Sequence, residues 1–384
     1  MYDYIVVGAG FCGSVIARKI AEELGKKVLV LEKRKHIAGN MYDEFDEYGI
    51  LVQRYGPHTF VTNQKELAEF VKKYGEWRDY DVTARVEIDG NLMPIPFNFR
   101  SIELFYGKEK SAVLIDKLKK AFPGQARIPV YMLTDNTDPA IQEYGKLLFE
   151  KDYIPYTSKQ WGIPPEKIDR SVIARVQIAL SYDEKYMQQT YQMMPEDGFT
   201  KIFHNILNHK NINVQTGTDA LDMITADGAE HRVLYNGHEI PVIYTGPIDE
   251  LFGLKYGRLP YRSLDIVFQT KDMDYFQSVA FIAYPQANGY TRSCEYKYLT
   301  GQKVNGKTTL SIEYPLQYDP NALKGNIPYY PVINDENRKK YQQYKNLADK
   351  FQNLYVCGRL GDYKYYNMDA AIERALEVFN QIKA

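Results

Sequence analysis

The stretch that most constrains this chain is Tyr4-Ile5-Val6-Val7 followed by Gly8-Ala9-Gly10-Phe11-Cys12-Gly13. The apolar, partly β-branched run predicts a buried strand. Val15, Ile16, Ile20 and Leu24 then recur at helical spacing. Lys27-Val28-Leu29-Val30-Leu31 predicts a second strand, which ends in Glu32. Strand, glycine turn, helix, strand and acid in this register make a dinucleotide-binding unit. Gly8 allows the tight turn, Gly10 lets a pyrophosphate approach the backbone, and Gly13 lets helix and strand pack closely. The helix N-terminus adds unpaired N–H groups and the positive end of its dipole. Glu32 is placed to accept hydrogen bonds from the ribose hydroxyls, and its charge favours a free 2′-hydroxyl over a 2′-phosphate.

A chain of 384 residues suits two or three domains with a sizeable core. Its net charge of −1 gives no electrostatic case for nucleic acid or a membrane surface. No apolar run approaches the roughly 20 residues of a spanning helix, and a core strand begins almost at Met1, so a cytoplasmic protein is expected. Cys12, Cys294 and Cys357 have no metal-ligand or redox spacing and are expected to be buried reduced thiols. The 34 tyrosines suit a pocket that packs a flat base and hydrogen-bonds a sugar.

Residues 63–77 are expected to form a capped helix with Leu67, Phe70, Val71 and Tyr74 on one face. A hairpin is expected over 82–95 around Asp89-Gly90-Asn91. From 101 to about 180 the pattern is mainly helical; Val113, Leu114, Leu118 and Phe122 share one face. Further strands are expected at 212–215, in a hairpin over 233–244, and at 261–270, 279–284, 290–298 and 308–315. The C-terminus repeats the opening theme: a strand at 353–357, a turn from Gly358 to Asp362 and a helix over 367–382. A second strand-turn-helix aimed at the cofactor argues for FAD over NAD. No second Gly-x-Gly-x-x-Gly provides a separate nicotinamide site.

The fold class is therefore α/β (α+β mixed): a Rossmann-like FAD-binding domain, an inserted helical subdomain and an antiparallel sheet layer. The expected division is 1–62, 200–256 and 332–384 for FAD, 63–199 for a mainly helical substrate and lid domain, and 257–331 for a substrate-binding sheet.

End to end, the chain resembles the bacterial UDP-galactopyranose mutases. The resemblance rests on Gly8 to Gly13, Glu32-Lys33-Arg34 with Gly39-Asn40, Tyr55-Gly56 with His58, and Pro96-Phe97-Asn98. It continues through Tyr156-Thr157-Ser158-Lys159-Gln160-Trp161-Gly162, Gly198-Phe199-Thr200-Lys201, Tyr244-Thr245-Gly246-Pro247-Ile248-Asp249, Tyr261-Arg262-Ser263-Leu264 and Tyr290-Thr291-Arg292. It closes with Glu313-Tyr314-Pro315-Leu316, Pro328-Tyr329-Tyr330-Pro331-Val332 and Gly358-Arg359 to Tyr365-Tyr366. The glycine motif is common to many flavoproteins. Lys-Gln-Trp-Gly, Tyr-Thr-Gly-Pro-Ile-Asp and Tyr-Tyr-Pro-Val, in this order, are far more specific.

The resemblance implies an isomerase active with reduced FAD, interconverting UDP-galactopyranose and UDP-galactofuranose without net redox change. Flavin N5 takes the anomeric carbon as UDP leaves, and the sugar re-closes in the other ring size. It also implies a homodimer. Arg175 and Arg292 match the two arginines that hold the departing diphosphate, a task suited to guanidinium forks. Arg175 follows Ile163-Pro164-Pro165 in a stretch resembling a mobile lid. Tyr156, Thr157, Trp161 and Tyr186 match nucleotide-site positions; Tyr330 and Tyr365 match diphosphate tyrosines. Asn98, Arg262 and Glu313 match sugar-pocket positions. His58 is expected against the flavin ring, positioning it. Gly8, Gly10, Cys12, Gly13, Glu32, Arg34, Gly39, Asn40, Tyr55, Gly56, Arg359, Asn367 and Met368 complete the cofactor set.

Two positions depart from the resemblance. Many relatives read His-x-Phe-His where this chain has His58-Thr59-Phe60-Val61, and a carboxylate where it has Asn367. Removing a potential charge at each opens the choice of sugar to a UDP-2-acetamido sugar (UDP-GalNAc) or a dTDP-6-deoxy sugar (dTDP-fucose). A true FAD-dependent oxidase shares the first and last motifs but leaves Lys159-Gln160-Trp161-Gly162 and the two arginines unexplained. A flavin-binding homologue without catalysis is the third reading.

Overall fold

The computed structural model describes residues 1–167 and 176–383. At its centre the strand Tyr4–Val7 pairs in parallel with Val28–Glu32 on one side and Val242–Tyr244 on the other. Ile212–Thr216 and Leu354–Val356 complete a five-stranded parallel sheet, in the order 212–216, 28–32, 4–7, 242–244, 354–356. Val28–Glu32 is buried along its whole length, as expected of a parallel strand covered on both faces. The helices Phe11–Glu23, Phe199–Leu207 and Met368–Lys383 supply much of one shared core, where Val15, Ile16, Ile20, Phe203, Ile372 and Val378 pack.

The close approach required of the third glycine is explicit. A Cβ on Gly13 would lie 1.9 Å from the Gly8 carbonyl oxygen. Gly8 has φ +99°, and a Cβ there would lie 2.2 Å from Thr245 Oγ1, which donates a hydrogen bond to the Val7 carbonyl (2.7 Å). The turn is thus pinned between two strands and a helix.

A seven-stranded sheet lies beside this unit, in the order 330–331, 261–271, 308–317, 292–295, 281–283, 84–88, 91–95. Its long ladder pairs Tyr261–Lys271 with Thr308–Gln317 antiparallel. The hairpin Ala84–Ile88/Asn91–Ile95 turns at Asp89-Gly90, both with positive φ as a two-residue turn of this type requires, and extends the same sheet through Phe281–Ala283. Strands from 84–95 and from 261–331 therefore share one sheet. Helices Phe99–Ala121 and Pro139–Leu148 bury Ile102, Leu114, Leu118, Ile141 and Leu148 in a second core.

The structure corrects several expected elements. The helix expected over 63–77 spans only Lys65–Lys72. Asn63 does not cap it, because its side chain accepts from the Thr190 backbone (2.9 Å). Trp77 opens the strand Trp77–Asp79, and Gly75 lets the chain pass Ile202, whose Cδ1 lies 2.4 Å from where a Cβ would sit. In Phe99–Ala121, Val113 is 59% exposed and Ile115 takes its expected place inside, after a break at Gly107 (φ +74°). The hairpin around Asn236-Gly237 covers only 232–239, leaving Val242–Tyr244 to the parallel sheet. Tyr296–Thr300 is helical rather than the end of a strand. All three cysteines are buried and unbridged, as expected.

Candidate active site

The carboxyl ends of the parallel strands open into one cavity of about 1080 Å³. Val7, Gly8, Glu32, Thr245 and Gly358 line one end; Tyr156, Trp161, Tyr186, Arg292 and Tyr330 line the other. This is where an open α/β sheet places its ligand.

At the sheet end, Gly10 caps the helix Phe11–Glu23, and no side chain among the described residues caps it. The nearest atom to a Cβ built on Gly10 is Gly39 Cα at 3.9 Å, so the two glycines form a backbone cradle. Glu32 is buried; its two oxygens accept from Ala9 N (2.9 Å) and Arg34 N (2.8 Å). Each oxygen keeps a second lone pair for ribose hydroxyls. Arg34 donates to Asn40 Oδ1 (2.9 Å) and lies over the Tyr55 ring at 4.1 Å, yet its buried Nη1 has no partner among the described residues. Cys12 donates to the Ala371 carbonyl (3.2 Å). Arg359 donates to the Tyr329 and Tyr366 carbonyls (3.2 and 2.7 Å) and faces the rings of Tyr330 and Tyr365. Tyr55, Gly56, Asn367 and Met368 also line the cavity.

His58 stands where the two ends meet. Burial, followed by the charges of Arg359 and Arg292, drives its imidazole down to about 3, so it is neutral near pH 7. Its buried Nδ1 has no partner among the described residues. The unpartnered Arg34 Nη1 donor and the unpartnered His58 ring nitrogen, together with the Gly10–Gly39 cradle, fit a bound dinucleotide whose polar atoms would complete them.

At the far end, Arg292 donates to Glu313 Oε1 from Nε (3.0 Å) and Nη2 (2.7 Å). The Glu313 side chain is 4% exposed, whereas that of Arg292 is 30% exposed and lines the cavity. Burial works against the guanidinium charge, but Glu313 and the surrounding phenols offset it and hold its pKa well above the usual value. The rings of Tyr330 and Tyr365 stack at 5.8 Å, and burial pushes the Tyr330 phenol up to about 12. Trp161 ends the helix Ile154–Trp161, which stops at Gly162 with φ +63°. Lys159 ties that helix to the opposite loop through the Tyr284 (2.7 Å) and Ala287 (2.5 Å) carbonyls.

Four expected site residues do not line the cavity. Gly13 acts beneath the turn, through the packing described above. Asn98 is fully buried as the N-cap of Phe99–Ala121 and donates to the Asp183 carbonyl (3.1 Å). Arg262 donates to the Gln160 carbonyl (3.1 Å) and packs under Gly162, supporting the end of the Trp161 helix. Glu313 lies behind Arg292. Arg175 lies outside the described residues. Val61 and Asn367, the two departing positions, both line the cavity. Asp152 and Asp219 line it too and were not expected. Asp219 follows a strand, as an adenosine-side residue would; Asp152 had only its position among aromatics as a signal.

A family model described as UDP-galactopyranose mutase matches residues 151–365, and one described as an NAD(P)-binding Rossmann-like domain matches 6–74. A UDP-galactopyranose mutase of Mycoplasma pneumoniae is 33% identical over 390 residues, covering 99% of this chain and 96% of its own. This chain belongs to the UDP-galactopyranose mutase family. A dTDP-fucopyranose mutase of Escherichia coli is 32% identical over 384 residues, covering 98% of this chain and 97% of its own. Among solved structures, a reduced UDP-galactopyranose mutase superposes with a TM-score of 0.68 at 16% identity, covering all of this chain and 96% of its own. A putrescine oxidase superposes with a TM-score of 0.60 at 12% identity, covering all of this chain and 99% of its own. The backbone architecture is thus shared with oxidases, and the family assignment rests on sequence. As a member of the mutase family the chain is an isomerase with a Rossmann-like unit for FAD.

Proposed function

We propose that this protein interconverts UDP-galactopyranose and UDP-galactofuranose while holding reduced FAD. The observation that carries the reading is one cavity in which the dinucleotide cradle of Gly8 to Gly13 and the Arg292–Glu313 pair are continuous. Reduced FAD, when bound, supplies a nucleophilic nitrogen for the anomeric carbon. The chain's residues supply position and charge. Gly10, Gly39, Glu32 and Arg34 hold the adenosine diphosphate part of the cofactor. His58 presents a neutral edge to the flavin and keeps extra positive charge away from it. Arg292, kept cationic and oriented by Glu313, holds the diphosphate as it departs and until it returns. Tyr330 and Tyr365 donate to the same phosphates, and Arg175 joins them. Tyr156, Trp161 and Tyr186 pack the base.

The second reading is the same chemistry on dTDP-fucose or UDP-GalNAc. It is favoured by Val61 and Asn367 in the cavity wall, and for dTDP-fucose by the similarity to the Escherichia coli enzyme. The test is turnover of UDP-galactofuranose, UDP-N-acetylgalactofuranose and dTDP-fucofuranose by dithionite-reduced protein, read by chromatography. Preference for the first supports the main reading, and preference for another selects the second. Failure with all three refutes both. The protein is further proposed to act as a cytoplasmic homodimer, which fractionated cell extracts and light scattering would test. No helix among the described residues is long and apolar enough to cross a membrane.

A further inference from the structure

Asp152 is a buried carboxyl that the proposed chemistry does not use. It lies in a π-helical turn, Phe149–Tyr153, which precedes the Trp161 helix. Such turns commonly mark functional positions because they re-aim side chains out of the regular helix. The residue is only 6% exposed and lines the cavity. Among the described residues it has no hydrogen-bond or ion-pair partner. Its oxygens are not sealed in the core but open onto the cavity, where the polar edge of a ligand can reach them.

Its surroundings say which part of a ligand it meets. Asp152 is within electrostatic reach of Tyr153, Tyr156 and Tyr186, and the last two are also within reach of Arg292. Tyrosines therefore link the anion-holding arginine to the carboxyl. A diphosphate belongs at Arg292 and would be repelled by an acid. A flat base belongs among the aromatic side chains, with its polar edge toward whatever hydrogen-bonding group is there.

We propose that Asp152 is a specificity-determining residue that reads the imide edge of a pyrimidine, accepting the N3–H of uracil or thymine. Burial pushes its carboxyl up to about 7, so both the ionised and the protonated form are accessible near neutrality. The ionised form accepts N3–H. The protonated form accepts N3–H and donates to a ring carbonyl. Either form pairs with the edge that uracil and thymine share. The inference rests on the nucleotide-sugar reading of the cavity but is independent of the sugar.

The experiment is calorimetric binding of UDP, dTDP and N3-methyl-UDP to the FAD-loaded protein and to its Asp152→Leu and Asp152→Asn variants. The wild type is expected to bind N3-methyl-UDP about tenfold more weakly than UDP or dTDP. Asp152→Leu is expected to bring all three to the N3-methyl-UDP level. Asp152→Asn, whose amide oxygen still accepts N3–H, is expected to preserve the preference. Three outcomes overturn the assignment: equal binding of UDP and N3-methyl-UDP by the wild type, an unchanged preference in Asp152→Leu, or a loss confined to UDP or dTDP alone. If Asp152→Leu does not fold, Asp152→Ala, which also removes the acceptor, takes its place, with loss of the preference expected and an unchanged preference overturning the assignment. Discrimination against N3-methyl-UDP by a protein that forms no isomer would refute the proposed activity and leave this assignment standing.

Discussion

Replacing Arg292 by leucine separates two roles of one side chain. Its Nε and Nη2 lie 3.0 and 2.7 Å from Glu313 Oε1, and the Glu313 side chain is 4% exposed. Removing the arginine leaves a buried carboxylate with no counter-charge, a loss of roughly 3–5 kcal/mol. Arg292 is itself 30% exposed to the cavity, so the lower end applies, about 3 kcal/mol. At roughly 2 °C per kcal/mol for a chain of this size, Tm should fall by about 6 °C. Loss of a charge-assisted contact to the departing diphosphate should separately weaken UDP binding by roughly 10- to 150-fold. The double variant Arg292→Leu/Glu313→Leu removes both charges. It should recover most of the lost Tm while UDP binding stays weak. Differential scanning fluorimetry and calorimetry on the same preparations read the two effects. Recovery of UDP binding in the double variant would refute the role of Arg292 in holding the diphosphate. Failure of Tm to recover would refute the electrostatic origin of the instability.

Gly13→Ala, whose Cβ would lie 1.9 Å from the Gly8 carbonyl oxygen, should abolish retention of flavin, read as loss of yellow absorbance after gel filtration. His58 has a lowered pKa in the fold, so its contribution to stability is present above its unfolded value near 6.5 and is lost as pH falls toward about 3. The urea midpoint should therefore drop between pH 7 and pH 5, and less steeply in His58→Gln. Lys159→Met removes the two carbonyl contacts that tether the Trp161 helix; it should raise KM for the nucleotide sugar severalfold without altering the flavin spectrum. Asn367→Asp, which restores a carboxylate at the cavity wall, should change the ratio of UDP-galactofuranose to dTDP-fucofuranose turnover while leaving UDP affinity unchanged.

The parts that local pattern could specify were legible in the sequence. The glycine turn, its flanking strands and the C-terminal strand-turn-helix are each set by a few neighbouring residues, and all appear where expected. Their convergence on one cavity follows from parallel pairing of Tyr4–Val7 with both Val28–Glu32 and Val242–Tyr244. Elements decided by distant partners were less legible. Asn63 reads as a helix cap until Thr190, far along the chain, takes its side chain. Residues 296–298 alternate like a strand, but the chain turns helical after Glu295, which is occupied by the Phe276 and Gln277 N–H groups. At the site, Asn98 and Arg262 carry suitable polar groups, yet a helix N-cap and the Gln160 carbonyl engage them. Asp152 was missed for the converse reason: nothing near it in sequence signals that its carboxyl opens onto the cavity with no partner among the described residues.

The most direct test of the central claim counts turnovers per reducing equivalent. The protein is reduced anaerobically with a measured amount of dithionite, excess UDP-galactofuranose is added, and isomer formation is followed together with the flavin spectrum. A mutase gives many product molecules for each flavin reduced, with the flavin still reduced at the end. One product per two electrons, with the flavin reoxidised in step, would show a redox enzyme and contradict that claim.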